Sequence, residues 1–337
     1  MTLEDLAHAI INVAKDKPHI VTVIGKGGVG KTTVSIMIAD ILSKKGKVLL
    51  VSLDQAMHLL KYLSLRRAHV VERVDGELYA IQFDLETEAR KFTGEYSLLL
   101  RQIMPGLKVL NVEKVTDVVR NSPGFEEEVY LRFLSKLYDD DRYDYIVIDT
   151  PPTGVTLRIL NLPRMYMFWL DNLIELRERI VGLRYAIQRV IRGRAEMRDE
   201  VLDKLYEMKE NYVKLAGMIT DQGRTSYILV ATPEPLPVYE VKKTINVLRE
   251  LGTEPVGIVV NKVIPWELAG KMGISGVQLE SIMDVDAIKC RTSTCIKIAI
   301  LMNEKPPDTL EKAREAMVKT IPLSATIKHG YRSQSSG

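Results

Sequence analysis

From Gly25 to Thr33 the chain reads GKGGVGKTT, and no other stretch constrains the fold as tightly. Gly25–Thr32 satisfies the pattern G-x-x-x-x-G-K-[ST], after the β-branched run HIVTVIG and before the helical run TTVSIMIADILSKK. Strand, glycine loop and helix in that order make a phosphate cradle. Gly25, Gly27, Gly28 and Gly30, with Val29 among them, let the backbone curl so that successive N–H groups face phosphate oxygens. The helix N-terminus at Thr32 and Thr33 adds its partial positive charge. In this pattern Lys31 meets the β- and γ-phosphates of ATP, and the Thr32 hydroxyl holds Mg²⁺.

The pattern does not require a second lysine, Lys26. Its presence resembles the deviant phosphate loop of ATPases that act as face-to-face dimers. Phosphoryl transfer spreads negative charge over the γ-oxygens, so a cation lent by a partner subunit lowers the barrier only once the dimer closes. On this reading Lys26 acts in trans and the chain is a homodimer; on the plainer one it is a solvated loop lysine.

Four further runs are nearly continuously apolar: Lys47–Asp54, Asp144–Thr150, Ser226–Thr232 and Gly257–Val263. That composition suits parallel strands covered on both faces. Val241, Ile245 and Leu248 recur at helical spacing before Gly252, which marks a crossover helix with a left-handed cap. The expected fold is α/β: a doubly wound, mostly parallel sheet of the P-loop NTPase (SIMIBI) kind. Its core takes residues 1–85, 129–162 and 221–330. Residues 86–128 and 163–220 lack strand signals and form an inserted helical subdomain, and residues 331–337 a flexible tail.

The second helical segment carries more apolar residues than one packed face needs, including Met165, Met167, Trp169, Leu170, Leu173 and Leu176. One reading is ordinary core. The other is a surface that accepts apolar partners of differing shape, for which methionine is suited.

Several segments beyond the loop resemble the arsenite-pump and tail-anchored-protein targeting ATPases. YDYIVIDTPPTGVTLRILNLP, from Tyr143, is similar to that family's second switch, D-T-A-P-T-G-H-T-L-R, and VSLDQAM to its first, V-S-T-D-P-A-H. ELYAIQFD, SPGFEEE, DQGRTSYILVATPE, IVVNK and IPLSATIKHG extend the likeness over nearly the whole chain. The resemblance implies that Asp54 orients the attacking water, that Asp149 supports the magnesium shell, and that Asn261 reads the adenine edge. Glu234 then becomes a nucleotide contact from the partner's side, and Pro322 with Leu323 a wall beside the adenine. There are departures: Gln55 and Met57 replace proline and histidine in the first switch, and Pro151 and Val155 replace alanine and histidine in the second.

The same family often holds Zn²⁺ between subunits through C-x-x-C soon after the asparagine. Here the two cysteines, Cys290 and Cys295, come later and are more widely spaced, so zinc, a local disulfide and ordinary thiols all stay open. So few cysteines exclude a disulfide framework. No apolar run reaches the roughly 20 residues that span a bilayer, and the start of the chain does not read as a secretory leader. The chain therefore reads as cytoplasmic, visiting the membrane only transiently. A formal net charge of +3 gives no general pull toward nucleic acid.

Among the outputs that the resemblance implies, the first is a targeting ATPase. It binds the hydrophobic transmembrane helix of a tail-anchored client in a composite groove gated by ATP, and delivers it to a membrane receptor. The second drives an arsenite efflux pump. A third reading, from a different class and not implied by the resemblance, is a partition-type ATPase acting on DNA or a membrane surface. It is suggested by the stretch from Arg179 to Arg194, which holds Arg184, Arg189 and Arg192 with no acidic residue between and is otherwise a solvated helix face.

Overall fold

The computed structural model describes residues 3–103, 120–192, 199–262, 297–301 and 320–321. Contacts divide the chain into two units. The first contains the residues up to Asp84, Lys136–Leu157 and those from Thr220 on; the second contains Leu85–Ser135 and Arg158–Ile219.

The first unit is built on a sheet of β1 (His19–Gly25), β2 (Val48–Ser52), β3 (Glu72–Asp75), β4 (Leu78–Gln82), β5 (Tyr145–Asp149), β6 (Thr225–Ala231), β7 (Pro255–Val260), β8 (Lys297–Leu301) and β9 (Thr320–Ile321). The spatial order is β3-β4-β2-β5-β1-β6-β7-β8-β9. Only the outermost pairs, β3 with β4 and β8 with β9, are antiparallel. In β1 and β6 every residue is buried, as expected of strands covered on both faces. β1 lies between β5 and β6, where the winding reverses, and such a reversal opens a crevice at the strands' carboxyl ends.

Helices α1 (Leu3–Val13) and α2 (Lys31–Ser43) share one core with the sheet, in which Leu6, Ile10, Met37 and Leu42 meet Val21, Val48, Val147 and Val259. Nearly all of α2 is buried, including Ser35 and Asp40, so it is enclosed on all sides rather than along one stripe. A single turn, α3 (His58–Tyr62), follows β2.

Helices α4 (Leu85–Ile103), α5 (Phe125–Tyr138), α6 (Thr153–Arg192) and α7 (Glu200–Thr220) supply the second unit. Two expected boundaries move. Residues 129–135 and 158–162, assigned by sequence to the core, belong to the second unit because α5 and α6 run unbroken through them. Pro163 lies inside α6 instead of starting the helical segment. An interior proline removes one ladder bond and crowds the carbonyl four residues back, a cost of about 3 kcal/mol that a 40-residue helix absorbs. Back in the first unit, α8 (Pro235–Glu250) is the predicted crossover, with Gly252 at φ 88° after it.

Candidate functional site

The phosphate loop leaves β1 at Gly25, whose backbone passes so close to β6 that an added Cβ would stand 2.4 Å from the Val230 carbonyl oxygen. Gly28 and Gly30 take left-handed φ values of 82° and 99°, which glycine adopts without steric cost. A Cβ on Gly30 would also stand 2.2 Å from Asn261 Nδ2. That amide nitrogen donates to the Val29 carbonyl at 2.8 Å, so the glycine is what lets the loop after β7 reach the phosphate loop. Lys31 is buried, and its Nζ donates to the Lys26 carbonyl at 3.4 Å.

Parallel register brings the second half of the site beside the first. Ser52 at the end of β2 and Val23 of β1 both face Asp149 at the end of β5. Asp149 Oδ2 accepts from the Thr32 hydroxyl at 2.7 Å and from the Ser52 hydroxyl at 3.0 Å. Its Oδ1 is buried and accepts no hydrogen bond among the described residues. Burial pushes this carboxyl up to about 6, against the opposing pull of the Thr32 hydroxyl, the Lys31 charge and the Ser52 hydroxyl; the nearby Asp54 adds to the rise. A buried carboxylate oxygen beside two hydroxyls is a hard oxygen set, the kind that suits Mg²⁺.

Asp54 follows β2 and is partly buried. Its Oδ1 accepts the Ala56 amide at 3.0 Å, which closes a local turn, and its carbonyl accepts from Gln82 Nε2 at 2.9 Å. Met57, at the family's histidine position, adopts φ 54° to start α3. Asn261 Oδ1 is buried and unpartnered among the described residues.

Lys31, Thr32, Asp149 and Asn261 thus meet around one loop, with Asp54 close by. Glu234 instead stands at the exposed N-terminus of α8 and makes no capping bond with its side chain. Pro322, Leu323, Cys290 and Cys295 lie outside the described residues. Sequence reasoning overlooked Ser52, Gln82 and Lys262, although each stands within a segment quoted above: VSLDQAM, ELYAIQFD and IVVNK.

On α6 the expected groove residues separate. Met165, Trp169, Leu173 and Leu176 are exposed, Trp169 by 64%. Ile180 and Leu183 continue the row, and Phe168, which the sequence reading passed over, is exposed beside it. Met167 is half-buried. Leu170 is a correction: at 5% exposure it packs with Ile174 and Leu205 in the core of the second unit, because it lies on the inward face of the helix. In the basic run Arg179 pairs with Glu175.

The anion-transporting ATPase (ArsA) pattern matches residues 18–274. Putative arsenical pump-driving ATPase 2 of Aquifex aeolicus is 33% identical over 244 residues, 72% of this chain and 79% of that one. ATPase GET3A of Arabidopsis thaliana is 30% identical over 266 residues, covering 77% and 72%. ATPase ASNA1 homolog 1 of Paramecium tetraurelia is 28% identical over 251 residues, covering 71% and 73%.

Proposed function

Because the chain belongs to the ArsA-type ATPase family and is an ATP hydrolase, we propose that it works as a Mg²⁺-dependent homodimer that shields and targets tail-anchored membrane proteins. One observation carries this reading. Met165, Trp169, Leu173, Leu176, Ile180 and Leu183 recur at steps of three and four along α6, and all are exposed. Such spacing puts them on one face of the helix. At the rise of an α-helix the row is about 27 Å long, close to the roughly 30 Å hydrocarbon thickness that a client's transmembrane helix spans. A contiguous exposed apolar surface of this kind marks an interaction site. Each large apolar side chain taken out of water contributes about 1.5–3 kcal/mol, so a client binds by area and needs no sequence code.

Within the nucleotide site, Lys31 and the loop amides hold the phosphates, and Thr32 and Asp149 hold Mg²⁺. The unpartnered Asp149 Oδ1 supports that assignment. When bound, the ion neutralises charge on the phosphate oxygens. Asp54 holds the attacking water and accepts its proton. Lys26 reaches the partner's γ-phosphate, which ties hydrolysis to dimer closure, and the Asn261 Oδ1 accepts from the adenine amino group. Hydrolysis then opens the dimer and releases the client to a membrane receptor. Among the described residues no helix is itself long and apolar enough to cross a membrane.

The name of the Aquifex relative supports a second reading, an ATPase that drives an arsenite pump. Co-expression with a tail-anchored substrate separates the two. Co-purification that is lost on replacing Trp169 and Leu173 by aspartate is expected for targeting, whereas no capture and an arsenite-stimulated rate would select the pump.

A further inference from the structure

Lys262 has a backbone conformation that its side chain does not favour. Its φ is 59°, left-handed, where non-glycine residues other than asparagine and aspartate are uncommon. It follows Asn261, whose own N–H is tied to the Ala231 carbonyl at 2.7 Å. From this position the exposed lysine extends its Nζ to the Gly28 carbonyl at 2.8 Å. The next carbonyl along the phosphate loop, that of Val29, is held by Asn261 Nδ2, also at 2.8 Å. Two adjacent residues after β7 therefore grip two adjacent peptide units of the phosphate loop.

A trans peptide points its N–H opposite to its carbonyl. Fixing the Gly28 and Val29 carbonyls from one side therefore fixes the N–H groups of Val29 and Gly30 toward the other. Those N–H groups belong to the cradle that receives phosphate oxygens. Glycine at position 28 gives the loop freedom to rotate these peptides, which an added donor on the carbonyl removes.

We propose that Lys262 is a positioning residue for nucleotide phosphate: with Asn261 it holds the phosphate loop in its receiving form before the nucleotide arrives, and its left-handed backbone is kept for that purpose. The inference rests on the chain being an ATP hydrolase. It differs from the role given to Lys26, because Lys262 acts within its own subunit and touches the loop rather than the phosphates. A preorganised cradle binds ADP and ATP alike, whereas a cation aimed at the γ-phosphate distinguishes them.

The test uses the full chain with Lys262→Gly and Lys262→Asn, two replacements that accept a left-handed backbone while removing the ammonium. Calorimetric titration with ADP and with a non-hydrolysable ATP analogue, each with Mg²⁺, is expected to show both Kd values raised by the same factor, roughly fivefold to tenfold. The melting temperature of the nucleotide-free variants should stay level or rise, since backbone strain is relieved. Weaker affinity without any loss of stability is something a merely structural lysine would not produce. Unchanged Kd values in both variants would overturn the proposal. So would a loss confined to the ATP analogue, or a loss matched by a lower melting temperature in both variants. A wild-type chain that binds neither nucleotide would instead break the ATPase reading on which the proposal rests.

Discussion

The phosphate loop and the exposed face of α6 are both read as binding surfaces, and they are built on opposite physics. Around the loop the recognising groups are polar, short and fixed by hydrogen bonds: Thr32 and Ser52 on Asp149, Asn261 on Val29, Lys262 on Gly28. There is no room to spare, since one added carbon on Gly30 would stand 2.2 Å from Asn261. The α6 row consists of large apolar side chains left in water. Recognition by polar geometry selects one ligand, because a misplaced partner leaves buried groups unsatisfied. Recognition by apolar area accepts many, because the hydrophobic effect has no direction. An ATPase that handles varied hydrophobic helices needs one surface of each kind.

If the two surfaces differ in this way, mutations in them should fail differently. The largest effect is expected from Asp54→Asn: turnover falls about 10²- to 10⁴-fold while nucleotide affinity is retained, as steady-state hydrolysis and calorimetry would measure. Normal turnover would remove Asp54 from the chemistry. A smaller effect distinguishes neighbours on α6. Leu170→Ala, a cavity in the second unit's core, should cost about 2–5 kcal/mol of stability in denaturant titration. Trp169→Asp should leave stability nearly unaltered but weaken binding of a hydrophobic tail peptide by roughly tenfold to a hundredfold. Should Trp169→Asp destabilise the chain as much as Leu170→Ala does, the row is core and the client reading fails.

The same contrast explains what could be read in advance. The loop was legible because phosphate chemistry fixes residue types at fixed spacing, and five strands were legible because burial on both faces leaves unbroken apolar runs. β3 was not: in ERVD alternate residues face solvent at an antiparallel edge, so no apolar run marks it. Ser52 and Gln82 were missed because their roles depend on register between distant strands, which no local spacing encodes. On α6 the surplus of apolar residues was visible, but which of them face outward was not. Leu170 and Trp169 are adjacent, and the inward face is decided by Leu205 on α7, far along the chain.

The smallest predicted effect concerns pH and belongs to the polar site alone. Burial raises the Asp149 carboxyl to about 6, above its ordinary value of 3.8. Between those values the folded state binds a proton that the unfolded state does not, so this group favours the nucleotide-free fold as pH falls. From about pH 7 to about pH 5 the gain is about 1 kcal/mol. His19 works the other way. Burial lowers its pKa, and the neutral ring donates from Nδ1 to the Gly223 carbonyl and accepts at Nε2 from the Ser226 hydroxyl, so its contribution is present above the ordinary value of 6.5 and is lost as pH falls. The two slopes separate when the wild type is compared with Asp149→Asn, because the His19 slope is common to both and cancels. Denaturant titration of the nucleotide-free proteins should then show the wild type gaining about 1 kcal/mol on the variant over that pH range. With Mg²⁺ and ADP present the gain should largely disappear over that range, since a cation beside Asp149 keeps the carboxylate ionised in the folded state as it is in the unfolded one. A gain of the same size with and without Mg²⁺ and ADP would mean that Asp149 is not the carboxylate that meets the metal.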